Sequence, residues 1–318
     1  MNEKERDRSS DGAGPSAPDD GGPCRRLSHL VFILILTLIT FGRSYAQTGQ
    51  GLSVSFNAGV LRPDNFHSDF YRGIPSNANT VMRILGSEAY GHQIWTDLTN
   101  GDLITSNIDD YRQLSVAEYG EMSYRIAVQL GVGFRYEYGK GWGWMASFDY
   151  ARLHAVGQFL LNSGRVNSFT LTNKDAYVAC PIAGLEERVC IDLGLFKKIY
   201  FDDGRFISLG LGVSLNNTKV EASDIEVAGR PYSILDIWNG RTPDVGVVGY
   251  EYVNQGGLGY GGFGTLGLGL MMPDLNSIVI YYTFYYTKIN LEGYESFAPQ
   301  HLFGLRFELG NFSFFDKV

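Results

Sequence analysis

Between residues 124 and 150 the chain alternates. Ile126, Val128, Leu130, Val132, Phe134, Tyr136 and Tyr138 share one face, opposite Ala127, Gln129, Gly131, Gly133, Arg135 and Glu137. After Gly139-Lys140-Gly141, the apolar face resumes as Trp142, Trp144, Ala146, Phe148 and Tyr150, opposite Gly143, Met145, Ser147 and Asp149. Side chains alternate across a strand, so this is a period of two and predicts a β-hairpin. Each arm has the length a tilted strand needs to cross a bilayer, about 9–11 residues.

The same alternation recurs six more times. The segments are 52–60, 189–195, 207–215, 265–272, 278–286 and 303–309, which brings the predicted strands to eight. Short turns at 139–141, at Asp202-Asp203-Gly204 and at Pro273-Asp274-Leu275-Asn276 alternate with long inserts at about 66–122, 153–187 and 216–257. A final short loop at 289–299 precedes the last strand. Short turns at one end and long loops at the other are the sequence mark of a membrane barrel with an even strand count. An open sheet edge finds no hydrogen-bond partner in lipid, so the sheet must close. The expected fold is all-β: a closed, antiparallel, eight-stranded transmembrane barrel over residues 51–315 with long extracellular loops. A soluble sandwich would place its large apolar side chains inside and a polar face outside. Here the polar set is small and rich in glycine, which suits a narrow lumen.

Aromatic residues gather near the short turns. Tyr136, Tyr138, Trp142, Trp144, Tyr200, Phe201 and Phe206 are read as an interfacial girdle. Gln129, Arg135, Glu137, Asp149, Asp192, Lys198, Arg306 and Glu308 are read as lumen-facing. Eight strands leave room only for side chains, so these charges must pair with one another. Arg306 with Asp149 or Asp192 is the first pair expected.

Ahead of the strands, residues 1–24 are polar and are expected to be disordered. Residues 25–46 have the parts of a cleavable signal peptide: Arg25-Arg26, an apolar run from Leu30 to Phe41, and small residues at Ser44 and Ala46. Cleavage after Ala46 leaves Gln47 first. The chain is then bound for the outer membrane of a Gram-negative bacterium. Cys180 and Cys190 form an even pair in an exported chain, either a disulfide or two separate thiols.

The formal charge of −8 over 318 residues argues against nucleic acid as a partner. Forty glycines and 14% aromatic residues suit strands with one small face and one broad apolar face. Neither metal-ligand spacing nor a cofactor motif appears, so no metal and no cofactor is expected. His67, beside Ser68, and His154 and His301 near loop ends were weighed as catalytic bases. None has a Ser at same-face spacing, so no catalytic residue and no enzyme is expected.

In this pattern the chain resembles the eight-stranded outer-membrane proteins of the OmpA, OmpX and OmpW kind. In detail it resembles the outer-membrane barrels of Bacteroidota, PorT-like proteins included. The resemblance rests on strand pattern, on Tyr45-Ala46-Gln47, and on a last strand with Phe312, Phe314 and Phe315; Asp316-Lys317-Val318 beyond it departs from the usual aromatic end. It implies a monomeric barrel or an accessory subunit of a secretion or uptake complex. Two other readings stand beside it: transport of small apolar molecules, with a lateral gap at Gly261-Gly262, and a lipid-modifying enzyme. Expected partners are outer-membrane lipid and, at the loops, a protein or a surface glycan. The first insert carries eight acidic and three basic residues, with short helices expected near Asn79–Tyr90 and Asp109–Glu118.

Overall fold

The computed structural model describes residues 51–77, 80–165, 176–201, 204–234, 256–272 and 276–312. The N-terminal extension, the signal peptide, Trp238, Tyr250–Tyr252, Phe314 and Phe315 lie outside the described residues.

The strands are β1 (Gly51–Arg62), β2 (Val116–Tyr119), β3 (Ser123–Tyr124), β4 (Ala127–Gly139), β5 (Trp142–Asn162), β6 (Tyr177–Tyr200), β7 (Arg205–Val227), β8 (Arg230–Ser233), β9 (Gly256–Met271), β10 (Ser277–Lys288) and β11 (Phe297–Phe312). Eight of them form a ring in the order β1-β4-β5-β6-β7-β9-β10-β11, each pair antiparallel. The ring closes where β1 meets β11, with Phe56 opposite Phe307 and Arg62 opposite His301. It is the closed eight-stranded barrel the alternation predicts.

The outward face is apolar over a broad band. Ile126, Leu211 and Leu268 are 71%, 73% and 62% exposed. A water-facing surface would leave this band unsatisfied, whereas a lipid-facing one requires it. The turn at Lys140-Gly141 joins β4 to β5. Lys140 and Gly141 have φ of 51° and 77°, the left-handed region, and a Cβ on Gly141 would overlap the Lys198 carbonyl.

Strand length is uneven. β1 and β10 have 12 residues, whereas β5, β6 and β7 have 21, 24 and 23. Inserts two and three therefore begin later than the sequence suggests. Residues 153–162 and 177–187 pair with each other as a continued hairpin, and 216–227 continue β7. The physical reason is a swap of faces. On β5 the inward side runs Ser147, Asp149, Ala151, then Leu153, Ala155, Phe159 and Leu161, which are buried. Its outward side runs Phe148, Tyr150, then Arg152 and His154. Inside the band the apolar face looks out; beyond it the apolar face looks in.

That inward apolar sheet carries the first insert as a cap. The insert holds 3-10 turns at His67–Tyr71 and Tyr111–Gln113, helix α1 (Val81–Leu85) and helix α2 (Glu88–Asn100). Phe70, Tyr71, Val81, Ile84, Leu85, Ile94 and Leu98 are buried in one cluster with Leu153, Phe159, Ile182, Ile225 and Val227. Tyr71 lies over Gly184, where a Cβ would overlap its ring. Ser87 caps α2, its Oγ accepting from Tyr90 N at 3.2 Å. The expected helix at Asp109–Glu118 is instead one 3-10 turn, capped by Asp110, followed by β2 on the edge of β5. On the far side of the sheet, Asp97 of α2 accepts from Tyr232 Oη at 2.9 Å and pairs with Arg230 at 3.3 Å, tying down β8.

Candidate functional site

The lumen is the first candidate. Alternation sends the polar face of every barrel strand inward, and the ring brings those faces together. Gln129, Arg135, Glu137, Asp149, Asp192, Arg306 and Glu308 all point into the lumen and are 2–8% exposed.

These side chains fall in three layers. Nearest the short turns, Glu308 takes Lys198 at 2.8 Å and Arg135 at 3.4 Å. Ser277 donates to Glu308 at 3.0 Å, and Tyr200 donates to Glu137 at 2.8 Å. In the middle, Arg306 donates to Asn57 Oδ1 at 3.0 Å and lies over the Tyr281 ring at 4.5 Å. Asn57 in turn donates to Asp149 at 3.5 Å, and Tyr285 donates to Asp192 at 2.8 Å. The expected ion pair of Arg306 with Asp149 or Asp192 is thus replaced by an amide bridge through Asn57. Asn57 sits opposite Arg306 on the neighbouring strand β1, nearer to it than either carboxylate.

The third layer lies under the cap. Arg188 pairs with Glu186 at 2.5 Å and donates to Gln300 at 3.1 Å and Tyr124 Oη at 3.3 Å. Tyr71 and Tyr124 both donate to Glu186, at 2.8 and 3.0 Å. Glu186 and Arg188 are 0% and 2% exposed at the side chain. Sequence reading missed both, because it began the fourth strand at Val189. The signal was present: Glu186 and Arg188 continue the parity of Cys190, Asp192 and Gly194.

The packing leaves little space. Two lumen cavities measure about 30 Å³, beside Asn57 and Asp192, and about 20 Å³, beside Gln129 and Arg188. These are spaces for one or a few waters each. The β9 ladders run unbroken through Gly261 and Gly262, which pair with Thr287 and Tyr286 on one side and Ser214 and Val213 on the other. The lateral gap expected there does not form.

One further sequence expectation is corrected, and the alternative left open at the cysteines is resolved. Phe206 is not in the girdle: it is 2% exposed, faces inward and covers Gly269, because Leu209 and Leu211 fix the outward parity of β7. Tyr138, Trp142, Trp144, Tyr200 and Phe201 are 41–54% exposed, and Tyr136 is partly exposed. Cys180 and Cys190 are both free. They lie ten residues apart on one strand, about 33 Å at strand rise, so no bridge joins them.

The candidate bases have structural partners. His67 is 1% exposed, with Nε2 against the Ser296 carbonyl at 3.1 Å. Burial first, then the charge of Arg188, pushes its pKa down to about 4. His301 Nδ1 pairs with Tyr282 Oη at 2.8 Å. Among the described residues, no group of His, Cys, Asp and Glu is arranged to hold a metal.

On the cap, a cleft of about 620 Å³ opens between α2 and β8. Glu88, His92, Asp97, Tyr111 and Arg230 line it, with His92 stacked on Trp95.

No family model matches the chain, and no curated protein matches it. Several solved structures do. They include OprG of Pseudomonas aeruginosa, at 12% identity and a TM-score of 0.39, covering 82% of this chain and 97% of that one. Neisserial surface protein A aligns at 9% identity and 0.35, covering 83% and 99%. Ail of Yersinia pestis, solved with the heparin analogue sucrose octasulfate, aligns at 11% and 0.33, covering 82% and 100%. OprG and Ail are outer-membrane proteins, and each of the three aligns with this chain over most of its length.

Proposed function

We propose that this chain is an outer-membrane barrel that does not conduct, and that its work is structural or interactive: it anchors and displays the extracellular cap. The observation that carries this reading is the filled lumen. Three layers of paired polar side chains stand between the two ends, and the two cavities described among them have room for only a few waters. The exposed apolar band supplies the membrane contact. The long strands β5–β7 and the capped core above them supply the display surface, and the cleft at Glu88 and His92 is where a protein or glycan partner has room to seat. An accessory role in a secretion or uptake complex fits this reading. Transport of apolar molecules does not, since both the lumen and the β9 ladders are closed. A catalytic role has no support either: His67 and His301 are engaged by a backbone carbonyl and a tyrosine.

Planar-bilayer recording of the refolded chain tests the reading. We expect a flat baseline at moderate voltage and neutral pH. Steady unitary openings would overturn it and return transport to first place.

A further inference from the structure

On one side of the barrel, basic residues stand just above the outward apolar band, and the strand register fixes where they sit relative to one another. On β11, β1 and β5 the first polar residue above the band is a base, and a fourth base, Arg125, lies two residues before β4. His301 on β11 is opposite Arg62 on β1. The β1–β4 register ends with Leu61 opposite Ala127, so Arg62 leaves β1 close to Arg125. Arg125 N donates to the His154 carbonyl at 2.8 Å, and Arg152 is two residues below His154 on β5. Arg62, Arg125 and Arg152 are exposed. Strands are about 4.8 Å apart, so the five residues span about 14 Å of wall.

The patch lies directly on the edge of the apolar band. Phe303, Val60, Val128 and Tyr150, on the same four strands, are 59%, 46%, 63% and 39% exposed. Two acids stand nearby, and each already accepts one hydrogen bond. Asp64 accepts from Phe66 N at 2.7 Å, and Glu187, opposite Arg152 on β6, accepts from Tyr150 Oη at 2.7 Å. Among the described residues, none of the three guanidinium groups enters an ion pair or side-chain hydrogen bond. The opposite wall differs: there Lys219 pairs with Glu221 on β7 itself.

We propose that Arg62, Arg125 and Arg152 form a binding surface for the phosphorylated headgroup of an outer-leaflet lipid, with His154 and His301 at its rim. The proposal rests on the membrane reading above. The apolar band fixes the depth of the acyl chains, which puts the phosphates of the outer leaflet at the level of the arginines. Guanidinium is the side chain best matched to phosphate oxygens, two N–H groups to one anion.

The test uses the full chain in phosphatidylcholine vesicles with trace spin-labelled phosphatidic acid, compared with spin-labelled phosphatidylcholine at the protein boundary. We expect a preference for phosphatidic acid of at least about fivefold, the effect of a single Arg at a charged surface. The triple variant Arg62→Gln, Arg125→Gln, Arg152→Gln should lose it, while Lys219→Gln with Lys288→Gln keeps it. Inorganic phosphate at matched ionic strength should not displace the lipid; displacement would mean a free-anion site and overturn the lipid assignment. An inserted, β-rich triple variant with unchanged preference would overturn the proposal and leave the membrane reading standing. Failure of the wild-type chain to enter neutral vesicles would overturn both.

Discussion

Arg188 shows how the smallest scale sets the terms for the rest. Its guanidinium is fully enclosed and is held by Glu186, Tyr124 and Gln300. Such a pair is weak evidence of net stabilisation, because both charges have left water, but breaking it is costly. Glu186→Gln should therefore destabilise the folded chain by about 3–5 kcal/mol, read by urea unfolding in vesicles. The double variant Glu186→Leu, Arg188→Met should recover most of that loss. If the single variant costs nothing, the pair is not closed as described. His67 makes a second prediction at this scale. In the folded cap it stays neutral down to about pH 4, whereas the released segment takes up a proton near pH 6.5. Its contribution is complete above pH 6.5 and is lost as pH falls toward 4, up to about 3 kcal/mol. Amide protection across residues 66–72, after correction for the intrinsic slowing of exchange in acid, should fall over that window, and His67→Gln should flatten the change.

At the scale of elements, the cap and the tall sheet depend on each other. Tyr71 fills the space that the missing side chain of Gly184 leaves. Gly184→Val should free the cap to protease between residues 72 and 122 while the barrel strands stay protected. Equal resistance in both proteins would mean that the cap is held elsewhere. This scale also shows what the sequence could disclose. All eight barrel strands, their parity and the lumen set from Gln129 to Glu308 were legible, because lipid on one side and a narrow lumen on the other force strict alternation. The upper halves of β5, β6 and β7 were not read. There the apolar face changes sides, and a pattern tuned to lipid outside reads Arg152, His154 and Glu187 as loop. The pairings within the lumen were also hidden: alternation tells which side chains point inward but not which strand lies opposite which. Asn57 looked like an ordinary small polar residue until the β1–β11 register placed it beside Arg306.

For the whole molecule, two surfaces meet at one height: the apolar band ends where the inward-facing core begins. The barrel contributes a fixed depth in the membrane, and the extended hairpins contribute reach above it. β5 continues for ten residues past Arg152, about 33 Å of strand at the usual rise. The flat conductance expected of this molecule and the display of its cap have a common origin. The lumen charges that block passage, Glu186 and Arg188 among them, also hold Tyr71 of the cap.

The seam between β1 and β11 has a consequence for how the molecule is made. Its partners, such as Phe56 and Phe307, are separated by most of the chain. Contacts so remote in sequence form late, since the entropy of closing so long a loop must be met before the contact gives anything back. By contrast, every residue of β5 finds its partner on β6 across a single hairpin. The central hairpins can zip early, while the first strand waits with its outer edge bare until the last one arrives. Through that interval the chain offers two unpaired edges, each a template for pairing with another chain. Assembly therefore has a vulnerable period as long as it takes β11 to appear, and whatever delivers this chain to its membrane must shield the first strand throughout.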